Sequence, residues 1–144
     1  MSGRISVRIN DRIDAGQIRW ERDAVRGVER VALLSPLGTQ VAELTRAGRH
    51  AEFRRGETRL SGEMEALTES LMGVALDLGA MAGWLQGAGL DAEGRGTVDS
   101  SDGRRWTLLA EGFHTAGLAV VARRLTVSSG DTVLRLVVDE WVVK

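Results

Sequence analysis

Apolar and polar residues alternate along the first third of the chain. In Arg4–Asn10, Ile5, Val7 and Ile9 interleave with Arg4, Ser6 and Arg8, the period-two signature of a half-buried strand. Gln17–Glu21 repeats it with Ile18 and Trp20, and strand-like runs follow at Glu29–Ser35, Thr39–Arg46, His50–Arg55 and Thr58–Leu60. Short breaks at Pro36-Leu37-Gly38, Ala47-Gly48-Arg49 and Gly56 separate the later runs, so the pattern predicts six strands in an antiparallel meander. One break is unusual. Turn tips face water and favour Asn, Asp or Ser, yet Leu37 stands at the tip of LLSPLGTQ, directly after the only proline of the chain. From the residues alone, Leu37 either folds back onto its own sheet or meets an apolar environment.

The period changes at Ser61. Met64, Leu67, Leu71, Met72 and Ala75 fall on one helical stripe, with Ser61 as candidate N-cap and Glu63 and Glu65 suited to the N-terminal dipole. A second short helix is expected near Gly79–Gln86, with Leu78, Met81, Ala82 and Leu85 on one face; the glycines around it disfavour a single long rod. Strands resume after Asp91–Gly96, with turns at Ser101-Asp102-Gly103 and Ser128–Asp131 separating Arg104–Phe113, Leu118–Val127 and Thr132–Lys144. Many strands around one helical insertion predict an α+β fold, with helices on one face of an antiparallel sheet and a single domain over residues 1–144. In the closing strand Leu134, Leu136, Val138 and Val142 share one side, while Val133, Val137, Trp141 and Val143 share the other. Both sides want cover, and the helices can supply it to one face only. A strongly curved sheet closing around a cavity answers this, as does an ordinary filled core.

Composition narrows the function. The 144 residues suffice to bury roughly 68% of the unfolded surface, and 43% hydrophobic with 27% charged residues is the balance of a globular protein. The net charge of −1, the scattered arginines and the 4% aromatic content without tyrosine argue against nucleic acid as a partner. The absence of cysteine removes disulfides, thiolate metal sites and cysteine nucleophiles. No apolar run approaches the ~18 residues of a membrane-spanning helix, and no signal peptide is visible.

Catalytic chemistry finds little support. His50 and His114 are the only histidines, no G-x-S-x-G elbow surrounds a serine, and Gly94-Arg95-Gly96 lacks the third glycine of a nucleotide fingerprint. Asp99 and Asp102 do not form the calcium-loop pattern, and the pairs Glu63/Glu65 and Asp139/Glu140 read as solvated faces. Nothing asks for a metal or another cofactor. The methionine-containing stripe is either a core-facing helix or an adaptable lid over an apolar ligand.

Several segments, taken in order, resemble the LolB family, the outer-membrane lipoprotein receptors of Gram-negative bacteria. Gly3–Arg8 resembles the first strand of the family, Arg19-Trp20 its tryptophan-bearing second strand, and Leu33–Gly38 its L-x-[NS]-P-L-G loop. MEALTESLMGVALDLGAMAGWLQG resembles the helical insertion that ends in W-[IL]-x-G, here Trp84-Leu85-Gln86-Gly87. Asp102–Trp106 and LRLVVDEWVVK resemble the later strands. The usual Pro after the W-[IL]-x-G signature is missing, with Ala88-Gly89 in its place.

The resemblance implies an incomplete antiparallel β-barrel with a helical lid over a hydrophobic cavity. It implies a receptor that takes acylated lipoproteins from a LolA-type periplasmic carrier and inserts them into the outer-membrane lipid surface, without covalent chemistry or cofactor. Pro36, Leu37 and Gly38 then form the membrane-insertion loop. Val7, Ile18, Trp20, Met64, Leu67, Leu71, Met81, Leu85, Leu108 and Leu136 are the expected cavity lining. The chain reads as the soluble body of such a receptor, a monomer without signal peptide, acylated cysteine or anchor, whose full-length form sits at the periplasmic face of the outer membrane. A LolA-like soluble carrier, a filled-core interaction domain and an enzyme using His50 or His114 are the competing readings.

Overall fold

In the computed structural model, residues 1–23, 25–35, 37–72, 80–100 and 103–141 are described, apart from the side chains of Asp14, Thr68, Ser70, Leu71 and Met72. Six strands come first: β1 (Ser2–Ile9), β2 (Arg12–Asp23), β3 (Val28–Leu34), β4 (Gln40–Ala47), β5 (His50–Arg55) and β6 (Thr58–Glu63). Each pairs antiparallel with the next, as the alternating pattern and short turns require. Helices α1 (Met64–Met72) and α2 (Met81–Leu85) follow, then β7 (Arg95–Asp99), β8 (Arg105–Glu111), β9 (His114–Ala116), β10 (Ala119–Val121), β11 (Arg124–Ser129) and β12 (Thr132–Glu140).

Ten strands form one sheet in the order β6-β5-β4-β3-β2-β1-β12-β11-β8-β7, and β9 and β10 pair only with each other. The sheet is open, with β6 and β7 as its edges. Those two strands flank the helical stretch in sequence, so the helices carry the chain from one edge to the other. Here α1 packs on β5 and β6, and α2 packs on β8 and β11. Both lie on the same face, because Met64, Leu67, Met81, Trp84 and Leu85 join one core cluster with Trp20, Leu44, Phe53, Leu108 and Leu136.

The first and last strands close the sheet's middle. β1 pairs with β12 from Ile9 opposite Thr132 to Gly3 opposite Val138, with an irregularity between Ser2 and Gly3. Gly3 is required there, because a Cβ would run into the Val137 carbonyl.

Four expectations need correction. Ser61 does not cap α1: β6 continues to Glu63 and the helix begins at Met64. The run Leu118–Val127 is not one strand. Ala122 leaves the sheet to donate its backbone N–H to Leu85 O at 2.7 Å, and Arg123 donates to Glu111 O at 2.9 Å, which splits the run into β10 and β11. Residues 114–116, not assigned to a strand by pattern, pair with β10 as a hairpin. The second helix is shorter than expected, five residues rather than eight. Ala75, Leu78, Asp102, Val142 and Val143 fall outside the described residues.

Replacing Gly3 with Ala is expected to cost about 1–3 kcal/mol by forcing the β1–β12 seam apart, lowering the thermal midpoint, whereas Ser2→Ala leaves it within about 0.5 kcal/mol. Thermal unfolding followed by circular dichroism checks both.

Candidate functional site

The inner face is built row by row from alternate residues of the strands. Trp20 lies opposite Val31, Val31 opposite Leu44, and Leu44 opposite Phe53. On the other side of the seam, Ile5 faces Leu136, Leu136 faces Leu125, and Leu125 faces Ala110, while Val7, Leu134, Val127 and Leu108 form the next row. Directly opposed residues share a face, so one apolar surface crosses both halves of the sheet without interruption. Of the expected lining residues, Ile18, Trp20, Met64, Leu67, Met81, Leu85, Leu108 and Leu136 are buried in this one cluster, and Val7 is half-buried against it. The Leu71 side chain lies outside the described residues. As it stands the face is a packed core beneath the helices. Two open hollows, of about 320 and 410 Å³, lie elsewhere, around Arg4, Arg123, Arg124, Arg135 and Val137.

A polar cluster sits at one end of the apolar face, in the row beyond Trp20, Val31 and Leu44. Glu29 is 5% exposed, and its Oε1 lies 2.7 Å from Arg46 Nη2 and 3.9 Å from Arg22 Nε. The Trp20 indole N–H donates to the other carboxylate oxygen at 3.3 Å. The three charged residues occupy one cross-strand row, Arg22 opposite Glu29 opposite Arg46. Buried carboxylates persist only when paired and hydrogen-bonded, and both oxygens of Glu29 are engaged. Sequence reasoning passed over this group although a signal existed: Glu29 shares the parity of the buried Val31 and half-buried Leu33.

The β3–β4 turn presents Leu37 at 94% exposure. Ser35 N–H donates to Thr39 O at 2.8 Å, Gly38 N–H to Ser35 O at 2.9 Å, and Thr39 N–H to the Ser35 hydroxyl at 3.3 Å. Gly38 adopts φ of +85°, which the turn needs. The leucine therefore stands on a braced turn and does not fold back onto the sheet. Pro36 lies outside the described residues.

The remaining chemistry is dispersed. His50 is exposed on β5 opposite Ala47 and Glu63, and His114 Nδ1 lies 3.3 Å from Gly112 O. Among the described residues no group of three His, Asp or Glu side chains is placed to hold a metal. Among the described residues the perturbed groups lie on the surface: backbone N–H groups of Arg95 and Glu93 hold the Asp91 carboxyl below its ordinary range, and the Asp99 hydrogen bond pushes Arg105 up. They act on turns, not on the inner face.

Removing one partner of the Glu29–Arg46 pair is expected to cost about 3–5 kcal/mol, because it strands the other charge. Arg46→Met should destabilise strongly, and Glu29→Gln added to it should recover part of that loss. A double-mutant cycle by urea denaturation measures the recovery; strict additivity would contradict the pairing.

Comparison with known proteins supplies the family. The family model described as outer membrane lipoprotein LolB matches residues 1–141. An outer-membrane lipoprotein LolB of Thiobacillus denitrificans is 30% identical over 98% of this chain and 78% of its own length. One of Nitrosomonas europaea is 29% identical over 98% of this chain and 71% of its own. In structure the chain is similar to a LolA superfamily protein from Nitrosomonas europaea, with a TM-score of 0.56 at 11% identity, covering 94% of this chain and 82% of that one. That likeness speaks for the fold alone.

Proposed function

This chain belongs to the LolB family of outer-membrane lipoproteins, and from that membership we propose that it receives acylated lipoproteins from a LolA-type carrier and releases them into the outer membrane. The single observation that carries the reading is the continuous apolar face roofed by two short helices rather than by a second sheet. Residues 1–144 act as one receptor domain, a monomer at the periplasmic face of the membrane. The open sheet serves as the incomplete barrel, and the helical stretch serves as the lid.

Acyl chains gain about 0.8 kcal/mol for each buried CH₂, so they cannot cross water exposed. They enter by displacing the helices from the inner face and take over the contacts of Met64, Leu67, Met81 and Leu85. Methionine at two of these positions suits a surface that must pack against either a helix or a lipid chain. Transfer runs forward when the bilayer holds the chains better than this face does, and the face holds them better than the carrier. No covalent step is needed, and neither His50 nor His114 takes part.

Leu37 marks the delivery end. Full burial of one leucine is worth roughly 1.5–3 kcal/mol, enough to favour contact with a bilayer and too little to anchor the protein. A LolA-like carrier is the less favoured reading, because the family match and the curated relatives are LolB.

Displacement of a fluorescent fatty acid separates the two steps. Wild type and Leu37→Glu are expected to bind the probe with equal affinity, while Leu37→Glu fails to pass a lipoprotein to vesicles. A protein that never binds the probe has a filled core instead, a wild type that binds it but passes no lipoprotein to vesicles is a carrier rather than a receptor, and a Leu37→Glu variant that delivers normally removes Leu37 from the delivery step.

A further inference from the structure

Leu37 is not the only aliphatic side chain exposed beside that turn. Ile13 on β2 is 66% exposed and Val41 on β4 is 47% exposed. The register brings them to the same side. Leu34, the last residue of β3, lies opposite Gln17, so β2 runs on past β3 from Gly16 to Arg12. The chain leaves Leu34 in that direction to form the Leu37 turn, and Ile13 stands on the stretch of β2 that extends alongside it, opposite Arg8 of β1. Val41 sits at the irregularity where Leu34 pairs with Gln40 but Leu33 pairs with Ala42. Alternation with the buried Ala42 and Leu44 puts Val41 on the outer face of the sheet.

The charge around these residues is balanced. Residues 35–41 carry none, and residues 8–14 carry Arg8, Arg12, Asp11 and Asp14, two positive and two negative. No aromatic residue, the usual anchor of a protein partner, lies in either segment.

We propose that Ile13, Leu37 and Val41 together form a lipid-docking surface that recognises uncharged or zwitterionic bilayer. The proposal rests on the membrane-delivery reading above and extends it from one leucine to a three-residue footprint. Three aliphatic side chains fix an orientation that one cannot, because a single point of contact leaves the molecule free to tilt.

Exposure alone is not the criterion, and the molecule provides its own control. Leu118, at the tip of the β9–β10 hairpin, is fully exposed. Glu111, at the end of β8, shares a cross-strand row with Leu34 through Arg124, Val137, Arg4 and Gln17. From that row the chain departs toward Leu118 in the direction opposite to Leu37.

The test is co-flotation with phosphatidylethanolamine–phosphatidylcholine vesicles, with and without phosphatidylglycerol. Ile13→Asp and Val41→Asp should each weaken binding roughly three- to tenfold, Leu37→Asp at least as much, and Leu118→Asp not at all. Ile13→Ser and Val41→Ser, with circular dichroism of every variant, guard against misfolding and should show the same order. The proposal is overturned if the Ile13 and Val41 variants bind like wild type, if Leu118→Asp loses as much as Leu37→Asp, or if binding requires phosphatidylglycerol. Wild type that displaces a fluorescent fatty acid but ignores all vesicles sinks the footprint and spares acyl binding; the converse result sinks acyl binding and spares the footprint.

Discussion

The pairing of the first strand with the last is the contact on which the rest depends. Without β1 against β12 the chain is two separate sheets, a six-strand meander and a smaller piece built from β7, β8, β11 and β12. With it, the apolar residues of both halves line up into one face, Val7 beside Leu134 and Ile5 beside Leu136. The same pairing sends β6 and β7 to opposite edges. The chain between them must then cross the inner face, and that is why helices rather than strands cover it. Gly3 guards this seam, since the space beside it is filled by the Val137 carbonyl.

A helical cover has a different physical character from a second sheet. Strands are tied to their neighbours by ladders of hydrogen bonds, whereas α1 and α2 meet the sheet through side-chain packing. Replacing that packing by another apolar surface therefore leaves few polar groups unpaired. Among the described residues, the Ala122 N–H bond to Leu85 O ties α2 to the segment before β11. On this view α2 is the more firmly held end of the cover. The Glu29–Arg46–Trp20 cluster, satisfied within the sheet itself, keeps its bonds whether or not the helices move.

Much of this was legible in the chain. The six opening strands follow from alternation and short turns, and the switch to a helical period is read three residues early, at Ser61 rather than Met64. Part of the inner face was in the lining that the family resemblance implied, Ile18, Trp20, Leu108 and Leu136 among it; Val31, Leu44, Phe53, Trp106, Leu125, Val127 and Leu134 share the same core and were not. What escaped was non-local. Nothing near Val121 announces that Ala122 will turn aside to meet Leu85, so the pattern merges β10 with β11 and leaves β9 unassigned. Ser61 looked like a cap because its side chain suits one, but pairing with Glu52 keeps it in β6. The exposure of Leu37 was an open choice in the residues, and the braced turn decides it. That Ile13 and Val41 stand on the same side depends on strand register, which local patterns do not specify.

The central claim is that acyl chains occupy the inner face in place of the helices. Trp20 and Trp84 report on it directly, one from the sheet and one from α2, and both are buried in the shared core. A fatty acid brominated along its chain, titrated into the protein, should quench their emission in a saturable way, and unlabelled fatty acid should restore it. A brominated chain that binds without dimming either tryptophan, or that does not bind at all, would contradict the account.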